Sequence, residues 1–83
     1  MENHSSQLSW YKLLRKERLQ RSWTQEELAE KLGVDVKTIR RWESGKGFPF
    51  PLHRRSLSAI FQKTPHELGL DEEPLLHKSE QFQ

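Results

Sequence analysis

The chain contains no cysteine, so it can form neither a disulfide framework nor a thiolate metal site. It also has no apolar run near the roughly 18 residues that a membrane-spanning helix needs, and no membrane partner is expected. Residues 1–9 lack the basic segment followed by an apolar stretch that marks a secretory signal. These absences predict a protein of the reducing cytoplasm.

The sequence also lacks the residue patterns that are typical of enzyme active sites. The four histidines, at positions 4, 53, 66 and 77, are too scattered for metal-ligand spacing. The sequence has no nucleophile elbow, no glycine-rich phosphate loop and no paired-acid arrangement. With 83 residues there is room for one small domain and not for a deep substrate pocket. We therefore expect no catalytic activity, no metal and no cofactor.

Charge is abundant but unevenly distributed. Charged residues make up 31% of the chain, yet the formal net charge is only +2. Residues 36–63 hold seven basic side chains against a single acid, Glu43. Such a basic block is the footprint of a polyanion-binding surface, although a solvated basic face would give the same composition.

Hydrophobic periodicity and capping residues predict an all-α fold, and no segment alternates as a strand does. Thr24 and Glu27 form a capping box before the second helix, and Gly33 ends that helix. Asp35 caps the third helix, and Gly45 ends it. In chain order, the five predicted helices cover about 9–21, 25–32, 36–44, 52–62 and 64–68. Residues 8–70 are expected to form the domain, with residues 1–7 flexible and residues 71–83 a flexible tail or the start of a linker.

The third predicted helix has two dissimilar sides. Ile39 and Trp42 share one side and are expected to be buried, whereas Lys37, Arg40 and Arg41 lie on the other. Two short helices joined by a tight turn, the second presenting basic side chains, are typical of a helix-turn-helix. The major groove of a DNA duplex is wide enough to admit such a helix.

Three motifs at fixed intervals carry a family resemblance: T-Q-E-E-L-A at 24–29, L-G-V at 32–34 and W-E-S-G at 42–45. From Arg18 to Leu68 the chain resembles the XRE family of helix-turn-helix proteins, which includes the phage lambda-type repressors. The closing segment is similar to a bacterial subgroup in which this domain is N-terminal in a larger regulatory protein. The resemblance implies a compact five-helix bundle of the lambda repressor-like type that binds double-stranded DNA and regulates transcription.

The resemblance also implies roles for individual residues. Gln25, Ser44 and Lys46 match positions that contact the DNA backbone. Base-reading positions of the third helix are matched by Val36, Lys37 and Arg41, with Arg40 beside them. Arg18 and Glu43 match an ion pair that orients this helix, and the helical arc of the first helix also places Arg18 inward.

A homodimer on a two-fold site and a fused or partner regulatory domain are further expectations. The alternative function is a protein-interaction or autoinhibitory module within a signalling protein or an antitoxin-like complex. Its contact residues would be Leu19, Phe48, Phe50 and the C-terminal tail.

Overall fold

The computed structural model describes residues 9–71, and this part of the chain is helical without any strand. The four helices are α1 (Trp10–Gln20), α2 (Gln25–Leu32), α3 (Val36–Glu43) and α4 (Pro51–Phe61). The all-α prediction is confirmed. The predicted flexible segment 1–7 and all of the predicted tail beyond residue 71 lie outside the described residues. No helix within residues 9–71 combines the length and the apolar character needed to cross a bilayer.

The predicted caps set the boundaries of α2 and α3. Thr24 Oγ1 accepts a hydrogen bond from the backbone N–H of Glu27 at 2.9 Å, and the Thr24 N–H donates to Glu27 Oε1 at 2.8 Å. Gly33 ends α2 in the left-handed region at φ +72°. Asp35 Oδ1 then accepts from the N–H of Lys37 at 2.8 Å. These local contacts leave three residues between the end of α2 and the start of α3.

The prediction of a fifth helix is wrong. Residues 65–69 form a turn, although Thr64 and Glu67 make the reciprocal capping contacts that the sequence indicates. Gly69 adopts the left-handed conformation at φ +72°, and the N–H of Leu70 bonds back to the carbonyl of Pro65. The start and stop signals are thus only five residues apart, which is too short for a regular α-helix.

All four helices and this turn contribute to one core. Leu57 and Ile39 are completely buried, and the turn adds Leu68 and Leu70. The full set of buried apolar residues is Leu14, Leu28, Ala29, Ile39, Trp42, Leu57, Phe61, Leu68 and Leu70. The turn therefore has a packing role even though it is not a helix.

A charged cluster that the sequence did not indicate joins α1 to the end of α4. Glu17 is only 5% exposed and accepts a hydrogen bond from Arg21 Nη1 at 2.8 Å. Arg21 Nη2 donates to the carbonyl of Phe61 at 2.7 Å. Lys63 Nζ lies 3.5 Å from Glu17 Oε2. The buried carboxylate is therefore paired, as a buried charge must be.

Candidate nucleic-acid interface

Helix α3 is anchored along one side and exposed along the other. Ile39 is fully buried and Trp42 is 5% exposed, whereas Lys37, Arg40 and Arg41 are exposed. At 100° per residue, the two apolar side chains occupy one stripe of the helix. The basic side chains are consequently directed away from the core.

A buried ion pair joins the end of α3 to α1. Arg18 Nε donates to Glu43 Oε2 at 2.7 Å, and Arg18 Nη2 donates to Glu43 Oε1 at 2.9 Å. The two side chains are 8% and 4% exposed. This fork-to-carboxylate geometry is the strongest arrangement available to such a pair.

The same pair also contacts α2 and the segment before it. Arg18 Nη1 donates to the carbonyl of Trp23 at 2.9 Å, and Gln25 Nε2 donates to Glu43 Oε1 at 3.1 Å. The structure therefore brings Gln25 to the ion pair, whereas the resemblance implied a contact with DNA. An amide nitrogen carries two N–H groups, so one contact with Glu43 does not exclude another with a phosphate.

The chain just after α3 is folded back onto the helix. The backbone N–H of Lys46 donates to the carbonyl of Arg41 at 2.9 Å, and Ser44 Oγ donates to the same carbonyl at 3.0 Å. The side chains of Ser44 and Lys46 remain exposed. Both residues lie just after α3, and their contact with a DNA backbone stays a prediction.

The remaining predicted residues differ in their surroundings. Val36 is half-buried and packs against the core. Arg40 Nη2 lies 3.9 Å from Glu26 Oε2, and because both side chains are more than half exposed, the pair is weak. The Arg41 guanidinium lies along the following loop, since a Cβ added to Gly47 would be 3.2 Å from Arg41 Nη2.

The loop between α3 and α4 is held by a side chain that the sequence did not single out as structural. Arg54 Nη1 donates to the carbonyl of Pro49 at 2.7 Å, and its guanidinium lies 5.1 Å from the centre of the Phe48 ring. Phe48 also packs edge-to-face on Trp10, at a centroid distance of 5.1 Å. Phe48 thus belongs to the packed loop, whereas Phe50 is 72% exposed. No local pattern predicts such contacts, because the partners meet only in the folded chain.

Comparison with known proteins agrees with this geometry. Residues 14–49 match the helix-turn-helix family. The chain is also 46% identical over 50 residues to the HTH-type transcriptional activator BcrR of Enterococcus faecalis. The aligned segment covers 60% of this chain and only 24% of that relative, so the chain spans about a quarter of its length. The matched segment, residues 14–49, contains α2 and α3, and these two helices therefore form a helix-turn-helix.

Proposed function

We propose that the chain binds double-stranded DNA sequence-specifically through α3, as the DNA-binding module of a bacterial transcription regulator that acts in the cytoplasm. The observation that carries the proposal is the two-sided α3, which is anchored by Ile39, Trp42 and the Glu43–Arg18 pair. The opposite side of α3 carries three exposed cations, Lys37, Arg40 and Arg41, which can bind a polyanion. The relative BcrR is described as a transcriptional activator. For this chain, the proposal covers both activation and repression of transcription.

In this proposal Arg41 and Lys37 donate to base edges in the major groove. An arginine bound to both acceptors of a guanine contributes roughly 1–3 kcal/mol of discrimination. Arg40 reaches the groove from beside them, and Val36 offers a methyl group to a thymine. Gln25, Ser44 and Lys46 bind phosphates and fix the position of α3 along the duplex.

Selection of bound duplexes from a random pool tests the proposal directly, because the experiment itself identifies the operator sequence. The selected duplex is then titrated at several salt concentrations. If about four to six phosphates are neutralised per monomer, log affinity falls against log salt with a slope of roughly −4 to −5. Failure to enrich any sequence, or affinity that does not respond to salt, would contradict the proposal.

Single substitutions separate base reading from backbone contact. Arg41→Ala is expected to relax the preferred sequence at one position, whereas Lys46→Ala weakens binding to every duplex and reduces the salt slope by about 1. Lys16→Ala is the matched control, since it removes one exposed positive charge from the side of α1 that is turned away from α3. Equal losses for all three variants would mean that affinity reflects net charge alone.

We also propose that two copies bind a two-fold site, because one such unit reads only a short stretch of groove. Two half-sites about one helical turn, or a multiple of it, apart would then appear in the selected sequences. A fused or partner regulatory region would supply the signal to which the regulator responds. Selected sites without internal symmetry would argue for a monomer.

A protein-interaction module is the second candidate function. The observation that favours it is the exposure of Phe50 and Leu52, which are 72% and 63% exposed at the start of α4. Phe48, which was expected to contribute, packs instead on Trp10. If pool selection enriches nothing, and Phe50→Ser with Leu52→Ser abolishes capture of a partner protein, this function replaces DNA binding.

A further inference from the structure

Gly47 differs from the other three glycines of the chain in its backbone conformation. Gly33, Gly45 and Gly69 have φ between +72° and +79°, in the left-handed region that favours glycine. The φ of Gly47 is not positive, so it is compatible with an alanine. Glycine also loses more chain entropy on folding than any other residue. The glycine at position 47 therefore has an explanation other than its backbone angle.

The side chain of Arg41 occupies the space beside Gly47. A Cβ built on Gly47 would lie 3.2 Å from Arg41 Nη2, 3.7 Å from Nε and 3.8 Å from Cζ. The shortest of these distances is below the roughly 3.5–4.0 Å of an optimal carbon contact. The guanidinium therefore lies against the backbone of Gly47, with its Nε and Nη2 side nearest to the loop.

The end of α3 fixes the loop in this position. The N–H of Gly45 donates to the carbonyl of Trp42 at 3.0 Å, and the N–H of Lys46 donates to the carbonyl of Arg41 at 2.9 Å. With Gly45 in the left-handed conformation, these two bonds form a Schellman motif. Because the motif closes on the carbonyl of Arg41, the next residue, Gly47, is brought beside the Arg41 side chain.

The contact with Gly47 leaves the donors of Arg41 unused. The hydrogen bonds and ion pairs among residues 9–71 do not include the Arg41 guanidinium, so its N–H groups can bind a ligand. Arg40, by contrast, lies 3.9 Å from Glu26. Packing against the loop restricts the Arg41 side chain before any ligand arrives, and a side chain ordered in advance loses less entropy on binding.

We propose that Gly47 is a positioning residue, which leaves room for the Arg41 guanidinium and thereby sets the direction in which Arg41 meets a base. The inference rests on the proposed function, because it concerns the base contact assigned to Arg41. A methyl group at Gly47 displaces the guanidinium by a few tenths of an ångström and removes its support. Bidentate binding needs two nitrogens at hydrogen-bond distance at once, so the displacement weakens base discrimination more than the general attraction to DNA.

A double-mutant cycle on DNA tests this role. Discrimination is the ratio of dissociation constants for the selected duplex and for the same duplex changed at the base pair that Arg41→Ala identifies. A bidentate arginine contributes roughly 5- to 150-fold to this ratio, and Gly47→Ala is expected to lower it by about threefold or more. In the Arg41→Ala background, Gly47→Ala should leave the ratio unchanged. An equal effect in both backgrounds, or none in the natural one, would overturn the proposal.

The urea midpoint separates positioning from folding. Because the φ of Gly47 is compatible with alanine, Gly47→Ala is expected to have a midpoint equal to that of the natural chain or above it. Gly45→Ala is the matched control, since its φ is +79° and its Cβ would lie 3.0 Å from ring carbons of Tyr11. A midpoint for Gly47→Ala as low as that for Gly45→Ala would give Gly47 a structural role and overturn the proposal.

NMR of the chain without DNA tests the Arg41 contact separately from the proposed function. The Nε–H of Arg41 is expected to have a higher order parameter than that of the exposed Arg55, and Gly47→Ala should lower it to the level of Arg55. Equal mobility of the two arginines in the natural chain would overturn the proposal, whatever the DNA experiments show.

The two kinds of experiment also separate a failure of this inference from a failure of the proposed function. If Arg41→Ala loses discrimination and Gly47→Ala keeps it, only the role of Gly47 is wrong. If the Arg41 Nε–H is ordered but Arg41→Ala keeps full discrimination, the base contact assigned to Arg41 is wrong, and the role of Gly47 is wrong with it.

Discussion

The buried ion pair allows the sharpest prediction about stability. Glu43→Ala removes the carboxylate that accepts hydrogen bonds from two nitrogens of Arg18 and from Gln25. Among its hydrogen bonds within the described residues, the Arg18 side chain, 8% exposed, would then keep only the one to the carbonyl of Trp23. Breaking a buried pair in this way costs about 3–5 kcal/mol, because it leaves an uncompensated charge. Domains of this size have a total stability of roughly 4–12 kcal/mol, so the loss is a large part of the whole.

A double variant that lacks both charges determines whether the cost comes from the stranded charge. Replacing both partners, with Arg18→Met and Glu43→Leu, removes the charge and retains much of the side-chain volume. The double variant is expected to be within about 2 kcal/mol of the natural chain, well above Glu43→Ala. Urea titrations followed by tryptophan fluorescence measure the free energy of unfolding of the natural chain, Glu43→Ala and the double variant. The three values can be compared if the free energy falls with urea concentration at the same slope in each protein. A cost below about 1 kcal/mol for Glu43→Ala, or a double variant less stable than it, would refute the reasoning.

Two matched pairs of substitutions test the backbone and the core in the same urea assay. Gly33→Ala is expected to cost about 1 kcal/mol, because φ is +72° and no atom of residues 9–71 lies within 4 Å of the added Cβ. Gly45→Ala should cost more, since its Cβ would lie 3.0 Å from ring carbons of Tyr11; equal losses would show that the ring moves freely. Leu57→Ala should cost about 2–5 kcal/mol and Leu52→Ala about 0.5 kcal/mol or less, because the first side chain is fully buried and the second is 63% exposed. Similar losses for the two leucines would contradict the assignment of the core.

The parts of the fold that follow from local chemistry were predictable from the sequence. The capping box at Thr24, the left-handed Gly33 and the cap at Asp35 act within a few residues, and each occurs where the pattern indicates. Burial of Ile39 and Trp42 follows from their helical spacing. The prediction of a fifth helix was wrong because start and stop signals do not guarantee that enough residues lie between them to form a helix.

Contacts between distant segments were not predictable in the same way. Lys63 approaches Glu17 across the molecule, and Arg54 binds the carbonyl of Pro49 beneath Phe48. These charged residues resemble ordinary surface residues in the sequence, and only the tertiary arrangement gives them partners. Arg18 and Glu43 were different, because the resemblance paired them across 25 positions and the structure has that contact.

A single carboxylate links the positions of three helices. Glu43, at the end of α3, accepts from Arg18 on α1 and from Gln25 at the first position of α2. In the proposed complex Gln25 binds a phosphate and Arg41 reads a base, so the Glu43 contact sets the distance between these two groups. The backbone contact can specify a register only if that distance is fixed. In the proposed complex, the buried pair therefore contributes to discrimination between sequences, because it holds α3 in place while the exposed cations supply the general attraction to DNA.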